Sequence, residues 1–207
     1  MGNLSTNYQS ALSFWKVGLQ YFMLVENVTR EVEAAGNKMT VVSDQSLSPQ
    51  EYVQETRWSD FRIIIPTLFT FYHGLELLLK GFLMLEPSYN LKAKHRMQSL
   101  CSHFIKYYPG SKKLGDFFRR YSDVNSLPGF LKDFVQKNSL SINELYEALR
   151  YPTDRTFSQL REYISLQYKG MNGVVFFTEL RDDIETARKE IVQLGRSLED
   201  KRCGVCP

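Results

Sequence analysis

The chain has 207 residues, of which 43% are hydrophobic and 24% are charged, and its net charge is +3. This length is sufficient for one hydrophobic core, and we expect a single domain over residues 1–200 followed by a flexible tail over residues 201–207. The small net charge does not by itself indicate nucleic-acid binding, and three cysteines do not make a disulfide framework.

The first predicted helix runs from about Tyr8 to Ala35 and carries two apolar stripes. One stripe contains Leu12, Trp15, Leu19 and Phe22, and the other contains Phe14, Tyr21, Val25, Val28 and Val32. A long helix with two apolar stripes has neighbours on two sides, as in a helical bundle. Gly36 and Asn37 are expected to end the helix, because both tolerate a left-handed backbone.

A second helix is predicted to begin at Ser48 and Pro49, a residue pair typical of a helix start. We expect it to continue without a break into the apolar residues 61–85, with a kink at Pro66. The residues between the two helices read as a loop, with a short strand over residues 39–42 as an alternative.

Three small residues recur at intervals of seven along this second helix, namely Thr67, Gly74 and Gly81. They form a line down one side, where the backbone of a partner helix can come close. Glycine in a helix interior costs up to about 1 kcal/mol relative to alanine, so we expect close packing to compensate for it.

Residues 61–85 are apolar over a length that is sufficient for a membrane span. Arg62, His73, Glu76 and Lys80 lie inside this stretch and argue against a span. At 100° per residue these four fall in a band roughly 60° wide, opposite a broad apolar face. The first residues of the chain also lack the pattern of a signal peptide. We therefore expect a cytoplasmic protein without a membrane partner.

Four shorter helices are predicted over residues 93–107, 112–121, 128–137 and 141–149, with Ser141 as the N-cap of the last. Residues 151–172 remain open between a strand and an extended segment. The final helix carries Phe177, Leu180, Ile184, Ala187, Ile191, Leu194 and Leu198 at steps of three and four. The predicted fold class is all-α, an up-and-down helical bundle with long N-terminal, central and C-terminal helices and short connecting helices.

His73, Glu76 and Lys80 stand at positions i, i+3 and i+7 of the second helix, so their side chains can meet. In a functional interpretation, they share a partly dry groove and bind an anion or perform acid–base chemistry. In a structural interpretation, Glu76 and Lys80 neutralise each other as an i, i+4 pair and His73 is hydrogen-bonded nearby. Both interpretations remain open.

Arg96 and His103 are two helical turns apart, and His95 directly precedes Arg96. An arginine that binds phosphate and a histidine that acts as general acid or base are the minimum for cleaving RNA by attack of its own 2′-hydroxyl. These three are therefore the candidate catalytic residues, although solvated polar side chains are the alternative. A further basic cluster, which we interpret as solvated, contains Lys112, Lys113, Arg119 and Arg120.

The segment from Arg150 to Arg155 follows a predicted helix, and Pro152 directs Tyr151 toward an extended conformation. Asp154 lies between two arginines in the sequence. The segment is therefore either a salt-bridged turn or a source of arginines for phosphate. The candidate binding residues are accordingly Arg150, Tyr151, Asp154 and Arg155, together with His73, Glu76 and Lys80.

Cys203 and Cys206 have the CxxC spacing, but a zinc site needs four ligands and the chain has no second pair. A frayed tail is the preferred interpretation. A zinc ion shared between two subunits and a redox pair remain alternatives. We expect no cofactor and no metal site within the chain.

Three segments occur in a characteristic order, followed by the amphipathic final helix. They are Leu75-Glu76-Leu77-Leu78-Leu79-Lys80, His95-Arg96-Met97-Gln98-Ser99-Leu100 and Arg150-Tyr151-Pro152-Thr153-Asp154. In this order the segments resemble the HEPN superfamily, the helical domains of nucleotide-associated proteins in prokaryotes and eukaryotes.

The resemblance implies a helical bundle, usually dimeric, that often works in toxin–antitoxin or antiphage systems beside a nucleotidyltransferase-like partner. Many members are metal-independent RNases, with an arginine separated by four to six residues from a histidine. Arg96 and His103 fit this spacing, but Met97 stands where a polar residue is usual, and no histidine follows His103. We therefore expect a prokaryotic, HEPN-like homodimer that binds RNA, nucleotide or a partner protein. An RNase that uses Arg96 and His103 and a purely structural dimerisation module are the alternatives.

Overall fold

The computed structural model describes residues 2–87, 89, 96–154 and 156–203, and the side chains of residues 7–201 within those ranges. The described residues form eight α-helices and no strand, which confirms the all-α bundle. The helices are α1 (Gly2–Ala35), α2 (Pro49–Glu55), α3 (Asp60–Leu83), α4 (Met97–Tyr107), α5 (Lys112–Ser122), α6 (Gly129–Lys137), α7 (Ile142–Ala148) and α8 (Met171–Cys203). His95, Arg155, Cys206 and the side chain of Cys203 lie outside the described part.

α2 and α3 are separate helices, whereas the sequence predicts one continuous helix. α2 begins where predicted, because Ser48 accepts a hydrogen bond from the NH of Glu51, and the Glu51 carboxylate accepts one from the NH of Ser48. The break comes at Thr56 and Ser59, whose buried hydroxyls donate to nearby backbone carbonyls. Such bonds give the backbone an alternative to the helical pattern, and the next helix begins directly after Ser59.

α1 and α3 pack antiparallel along the line of small residues that the spacing of Gly74 and Gly81 predicts. A Cβ atom built on Gly74 would lie 3.2 Å from the carbonyl oxygen of Gly18 in α1. A Cβ atom built on Gly81 would lie 2.6 Å from the indole of Trp15. Because a side chain does not fit at either position, the two glycines set the distance between the helices.

Five helices close into a ring around an aromatic core. α1 packs between α3 and α8, α4 lies between α3 and α5, and α5 contacts α8. Inside the ring, Phe71 stacks on Phe22 with centroids 5.5 Å apart and meets Tyr121 at 4.7 Å. Phe117 meets Phe22 edge-on at 5.9 Å. Each such pair contributes about 0.5–1.5 kcal/mol beyond the area that it buries.

The contact between α1 and α8 contains a buried ion pair. Both carboxylate oxygens of Glu26 accept hydrogen bonds from Nη1 of Arg188, at 2.8 and 2.6 Å, and the Glu26 side chain is only 3% exposed. Arg30 and Glu185 form a second, exposed pair between the same helices at 2.8 Å. Because an unpaired buried carboxylate is costly, the Glu26–Arg188 pair selects one register of α8 against α1.

Asp60 joins three chain segments at the beginning of α3. Its NH donates to Oδ1 of Asn37 at 2.6 Å, and Nδ2 of Asn37 donates to Oδ2 of Asp60 and to the carbonyl of Gly170, both at 2.8 Å. The Asp60 carboxylate also accepts from the NH groups of Tyr168 and Lys169, both at 2.7 Å. Asn37 has a φ of 51°, the left-handed conformation expected at the end of α1.

The segment between α7 and α8 is a loop with one isolated antiparallel bridge, between Thr153 and Leu160. A short 3-10 helix follows at Tyr163–Ser165. Gln167 then donates to the carbonyl oxygen of Phe61 at 2.8 Å, which holds the loop on the start of α3. The described residues 39–42 form no strand either.

α3 is the one helix of the described residues that is long and apolar enough to cross a membrane. Half of its most apolar window, 50%, is buried inside the bundle. The core helix of a soluble protein has the same length and composition, so this finding is a weak indication of a span.

Candidate functional site

His73, Glu76 and Lys80 lie together on the outward side of α3, where α1 and α7 flank it. Oε1 of Glu76 lies 2.7 Å from Nζ of Lys80, and the two side chains are 19% and 26% exposed. Nδ1 of His73 is hydrogen-bonded to the phenol oxygen of Tyr146 in α7 at 2.8 Å. The ring of Tyr21 in α1 meets His73 edge-on at 4.9 Å. The structure thus brings the three predicted residues together, and we call them with Tyr146 the α3–α7 cluster.

Tyr146 was not identified from the sequence, because spacing within α3 does not reveal a partner from another helix. Burial raises the pKa of Tyr146 to about 12, and the neighbouring carboxylate of Glu76 acts in the same direction. The positive charge of Arg150 acts in the opposite direction. The phenol therefore stays protonated at neutral pH and serves as a hydrogen-bonding group within the cluster.

The geometry of the α3–α7 cluster favours its structural interpretation. The charge of Glu76 is neutralised by Lys80, as their i, i+4 spacing predicts. His73 is engaged by a phenol, and Phe69 stacks on Tyr146 with centroids 5.8 Å apart. These contacts fix α7 on α3. The charges of Glu76 and Lys80 are paired with each other.

Arg96 and His103 lie at the start and in the middle of α4. Arg96 is the N-cap residue and is exposed. Nδ1 of His103 lies 2.7 Å from the carbonyl oxygen of Ser99, so this nitrogen carries the proton and donates. Seven residues of α-helix extend about 10 Å. A phosphate that contacts both residues therefore requires the long side chain of Arg96 to extend along the helix toward His103.

Asp154 fixes the turn after α7. Its carboxylate accepts hydrogen bonds from the hydroxyl of Thr156, from the NH and hydroxyl of Ser158 at 2.7 and 2.9 Å, and from the NH of Gln159 at 3.0 Å. These donors, the Thr156 hydroxyl first, hold the pKa of Asp154 below its usual range. The turn is fixed by Asp154, in agreement with the interpretation of this segment as a fixed turn. The described partners of the Asp154 carboxylate are hydroxyl and NH groups, however, and not the arginines of a salt bridge.

Three of the four basic residues of the α5 cluster, Lys113, Arg119 and Arg120, are paired with nearby carboxylates. The ion pairs are Lys113–Glu190 at 3.1 Å, Arg119–Asp116 at 3.2 Å, Arg120–Glu179 at 2.8 Å and Arg120–Asp183 at 3.1 Å. These pairs border a groove of about 560 Å³ between α5 and α8, with Phe117 in its lining. Exposed pairs stabilise little, but they cancel the positive potential that binds phosphate.

Three other arginines lie over aromatic rings and form no ion pair within the described residues. Cζ of Arg57 lies 5.8 Å from the ring centroid of Trp58, and Cζ of Arg150 lies 5.2 Å from that of Tyr151. Nη2 of Arg150 also donates to the Tyr151 hydroxyl at 3.3 Å. Stacking on a ring leaves the NH groups of a guanidinium available to an anion.

The third of these arginines, Arg62, lies between two rings. Its Cζ is 4.7 Å from the centroid of Phe61 and 5.9 Å from that of Tyr52. Tyr168 stacks on Phe61 with centroids 5.4 Å apart and an interplanar angle of 6°. We call the whole set the arginine–aromatic surface: Tyr52, Arg57, Trp58, Phe61, Arg62, Arg150, Tyr151 and Tyr168.

Hydrogen bonds of the loop between α7 and α8 connect the two parts of this surface. The hydroxyl of Tyr163 donates to the carbonyl oxygen of Tyr151 at 3.2 Å. Four residues later, Gln167 donates to the carbonyl oxygen of Phe61. Residues 163–167 are therefore hydrogen-bonded to the backbone of Tyr151 at one end and to the backbone of Phe61 at the other.

Arg150 and Tyr151 of this surface are candidate binding residues from the sequence, and Arg62 belongs to the polar band that the sequence predicts on α3; the other five members were not identified. A signal for the others exists in the pairs Arg57-Trp58 and Phe61-Arg62, in which an arginine adjoins an aromatic residue, as in Arg150-Tyr151. That Tyr168 stacks on Phe61, and that the loop is hydrogen-bonded to both Tyr151 and Phe61, depends on tertiary structure and is not visible in such pairs.

Within the described ranges, no three His, Cys, Asp or Glu side chains are grouped so that they can hold a metal ion. Tyr146 lies near two of the segments that carry the family resemblance. The carboxylate of Glu76, in the α3 segment, and the positive charge of Arg150, in the later segment, both shift the pKa of Tyr146. No protein-family model, no curated protein and no solved structure matches this chain, so membership of the HEPN superfamily stays a prediction from its three sequence segments.

Proposed function

We propose that this chain is a HEPN-like helical module that binds single-stranded RNA through the arginine–aromatic surface and does not cleave it. The observation that carries the proposal is that Arg57, Arg62 and Arg150 lie over aromatic rings without a carboxylate partner in the described structure. Following the family resemblance, we place the module in a prokaryotic defence or toxin–antitoxin system, where a nucleotidyltransferase gene beside its own gene would be expected.

The chemistry of this surface suits an unpaired strand. Single strands are bound by cations that follow the phosphates and by aromatic rings on which bases stack, each stacked base being worth about 1–3 kcal/mol. Tyr151 and Tyr168 are 55% and 53% exposed. Arg62 and Arg150 each use one NH group within the chain: Nε of Arg62 donates to the Thr56 hydroxyl at 3.1 Å, and Nη2 of Arg150 donates to the Tyr151 hydroxyl at 3.3 Å. Their remaining NH groups can bind phosphate oxygens.

Binding without cleavage follows from the same residues. The eight members of the surface include no histidine and no carboxylate, which are the groups that most often act as general acid or base. Conversely, the α3–α7 cluster contains such groups, but its charges are paired with each other. The arginines of α5 are paired as well, which leaves the arginine–aromatic surface as the better phosphate site among the surfaces described above.

The test is the affinity of the full chain for a fluorescent, unstructured RNA, measured by anisotropy over a series of salt concentrations. Arg62→Ala and Arg150→Ala should each weaken binding and lower the slope of log K against log salt by about 0.7. Tyr168→Ala should weaken binding about five-fold or more with little change in the slope, because it removes stacking and not charge.

Arg119→Ala is the matched control, because Arg119 is an exposed arginine that is paired with Asp116. Its loss should leave the affinity unchanged. No measurable binding at low salt, or an equal loss in Arg119→Ala and Arg62→Ala, would contradict the proposal. The surface would then be better explained as a contact for a partner protein, because arginine and aromatic residues are also enriched there.

We also propose that the module forms a homodimer, as the resemblance implies, through the outward side of α1. Val17 and Leu24 are 43% and 52% exposed on this helix and lie one turn on either side of Tyr21, whose ring contacts His73 of the α3–α7 cluster. Leu24→Glu should lower the molar mass measured by light scattering, because it places a charge in the contact. Val42→Glu, at an exposed position in a loop, is the control and should leave the mass unchanged.

A further inference from the structure

The loop between α7 and α8 and the first turns of α8 expose an unusual share of the large apolar side chains. The described residues contain 15 large hydrophobic side chains that are exposed, and seven of them fall within residues 151–175. These are Tyr151, Phe157, Leu160, Ile164, Tyr168, Met171 and Val175. A concentration of exposed apolar side chains in one stretch of chain is typical of a contact with a partner or with a membrane.

The two most exposed of these side chains are held on a fixed backbone. Phe157 is 84% exposed and Leu160 is 81% exposed. The NH of Phe157 donates to the carbonyl oxygen of Asp154 at 3.1 Å, while the Asp154 carboxylate binds the residues that follow. Leu160 belongs to the bridge with Thr153. Both side chains are therefore presented outward by an ordered turn, which lowers the entropy lost on docking.

Positive side chains outnumber negative ones around this turn, because residues 150–170 contain three arginines and one lysine against Asp154 and Glu162. Asp154 keeps its negative charge, since its described donors are neutral hydroxyl and NH groups, and Glu162 is paired with Lys137 at 3.4 Å. Arg150 and Arg161 form no ion pair within the described residues. The turn thus combines an apolar tip with a cationic flank.

We propose that this turn docks on an anionic lipid surface, with Phe157 and Leu160 inserted among the acyl chains and Arg150 and Arg161 at the phosphate headgroups. Tyr151 lies behind the tip, where a tyrosine ring suits the boundary between headgroups and hydrocarbon. Cations near an anionic leaflet add an attraction that salt weakens. RNA fits the tip less well, because the aliphatic side chain of Leu160 offers no ring for stacking.

A peripheral contact of this kind is compatible with the sequence of α3. The ionisable residues of that helix argue against a membrane span, whereas a surface contact requires no span. The proposed lipid contact shares Arg150 and Tyr151 with the arginine–aromatic surface. Its two anchoring side chains, Phe157 and Leu160, are not members of that surface and can be changed without removing any residue assigned to RNA.

The test is flotation of the full chain with phosphatidylcholine vesicles that contain or lack phosphatidylserine. The wild-type protein should float with the anionic vesicles, less so at high salt, and should not float with neutral ones. A double variant, Phe157→Asn with Leu160→Ser, should lose at least about ten-fold in vesicle affinity, because both inserted side chains are removed. Asparagine is chosen because Phe157 has a φ of 57°, which asparagine tolerates.

Val42→Ser is the matched control, because Val42 is a fully exposed apolar residue outside this turn. It should float as the wild-type protein does. RNA affinity, measured on the same proteins, should be unchanged in the double variant. A failure of the lipid proposal can therefore be distinguished from a failure of the RNA-binding proposal.

Three outcomes would overturn the lipid contact. The first is absence of the wild-type protein from anionic vesicles at low salt, and the second is equal flotation of the double variant. The third is a lower molar mass of the double variant in solution without vesicles, because the turn would then join two copies of the chain.

Discussion

Tyr146 and His73 join α7 to α3 through a hydrogen bond of 2.8 Å, although 73 residues separate them in the sequence. α7 has seven residues, which is too short for a helix to be stable by itself in water. Its position therefore depends on tertiary contacts, of which this hydrogen bond and the stacking of Phe69 on Tyr146 are the best defined.

Tyr146→Phe should flatten the loss of stability at alkaline pH. The pKa of Tyr146 is raised from 10.0 to about 12 in the folded protein, mainly by burial, and returns to its ordinary value on unfolding. Because the folded-state pKa is the higher one, the contribution of the protonated phenol is complete below pH 10 and is lost as the pH rises toward 12. The free energy of unfolding in urea, measured over this interval, should fall more steeply for the wild-type protein. Equal slopes in the two proteins would contradict the burial of this phenol.

Gly74→Ala should destabilise the protein, although alanine is the better helix former. A Cβ atom there would lie 3.0 Å from Tyr21 and 3.2 Å from the carbonyl oxygen of Gly18, so the helices must separate at a cost of about 1–3 kcal/mol. Gly115→Ala is the control, because its Cβ atom would meet only Ile105, at 3.5 Å. This second change should stabilise by up to about 1 kcal/mol. The two changes should thus shift the urea midpoint in opposite directions, and shifts of the same sign would disprove the close contact of α1 with α3.

Asn37→Ala should cost roughly 3 kcal/mol or more, because it removes three buried hydrogen bonds and places alanine at a φ of 51°. Asn37→Gly removes the same hydrogen bonds but tolerates the backbone conformation. The glycine variant should therefore be about 1 kcal/mol more stable than the alanine variant in urea unfolding. If the two variants unfold alike, the left-handed conformation contributes nothing to the cost.

Arg188→Met should cost about 3–5 kcal/mol, because it leaves the carboxylate of Glu26 buried without its main partner. Nη2 of Arg30 lies 3.8 Å from the same carboxylate and still partly compensates its charge in the variant, so we expect a loss near the lower end of this range. A double variant, Glu26→Leu with Arg188→Met, removes the buried charge as well and should recover most of the loss. A double variant as unstable as Arg188→Met alone would show that packing, and not the unpaired carboxylate, causes the loss.

His103→Ala should leave RNA intact to the same extent as the wild-type protein does. Nδ1 of His103 donates to the carbonyl oxygen of Ser99. Arg96 is the N-cap residue of the same helix, about 10 Å from His103 along the helix axis. The measurement is the decay of a labelled RNA in EDTA, with His73→Ala as the control for loss of a different histidine. Cleavage that disappears in His103→Ala and persists in His73→Ala would establish the alternative function, a metal-independent RNase.

The fold was largely predictable because local signals decide most of the helix boundaries. Ser141 caps α7 with the reciprocal bonds to Glu144 that its sequence position predicts, and Gly36 with Asn37 ends α1 in the left-handed region. The break between α2 and α3 was not predicted. Besides the local hydroxyl bonds of Thr56 and Ser59, the start of α3 after the break is held by Asn37, whose Oδ1 accepts from the NH of Asp60, and this contact from a distant part of the chain is not visible in the local sequence.

The candidate site was predictable only where its members share one helix. His73, Glu76 and Lys80 were found because helical periodicity places them together, and the structure keeps them together. Tyr146 and Tyr168 come from distant parts of the chain, so no period connects them with α3. Such partners follow from packing, which a single sequence does not reveal.

The bonds that Asp60 accepts from Tyr168 and Lys169 have a consequence for the newly made chain. Tyr168 stacks on Phe61, and its backbone NH donates to the carboxylate of Asp60 in the same region. During translation, residue 168 must therefore leave the ribosome before either contact can form. A nascent polypeptide that is still shorter than this has Phe61 and Asp60 without these two partners.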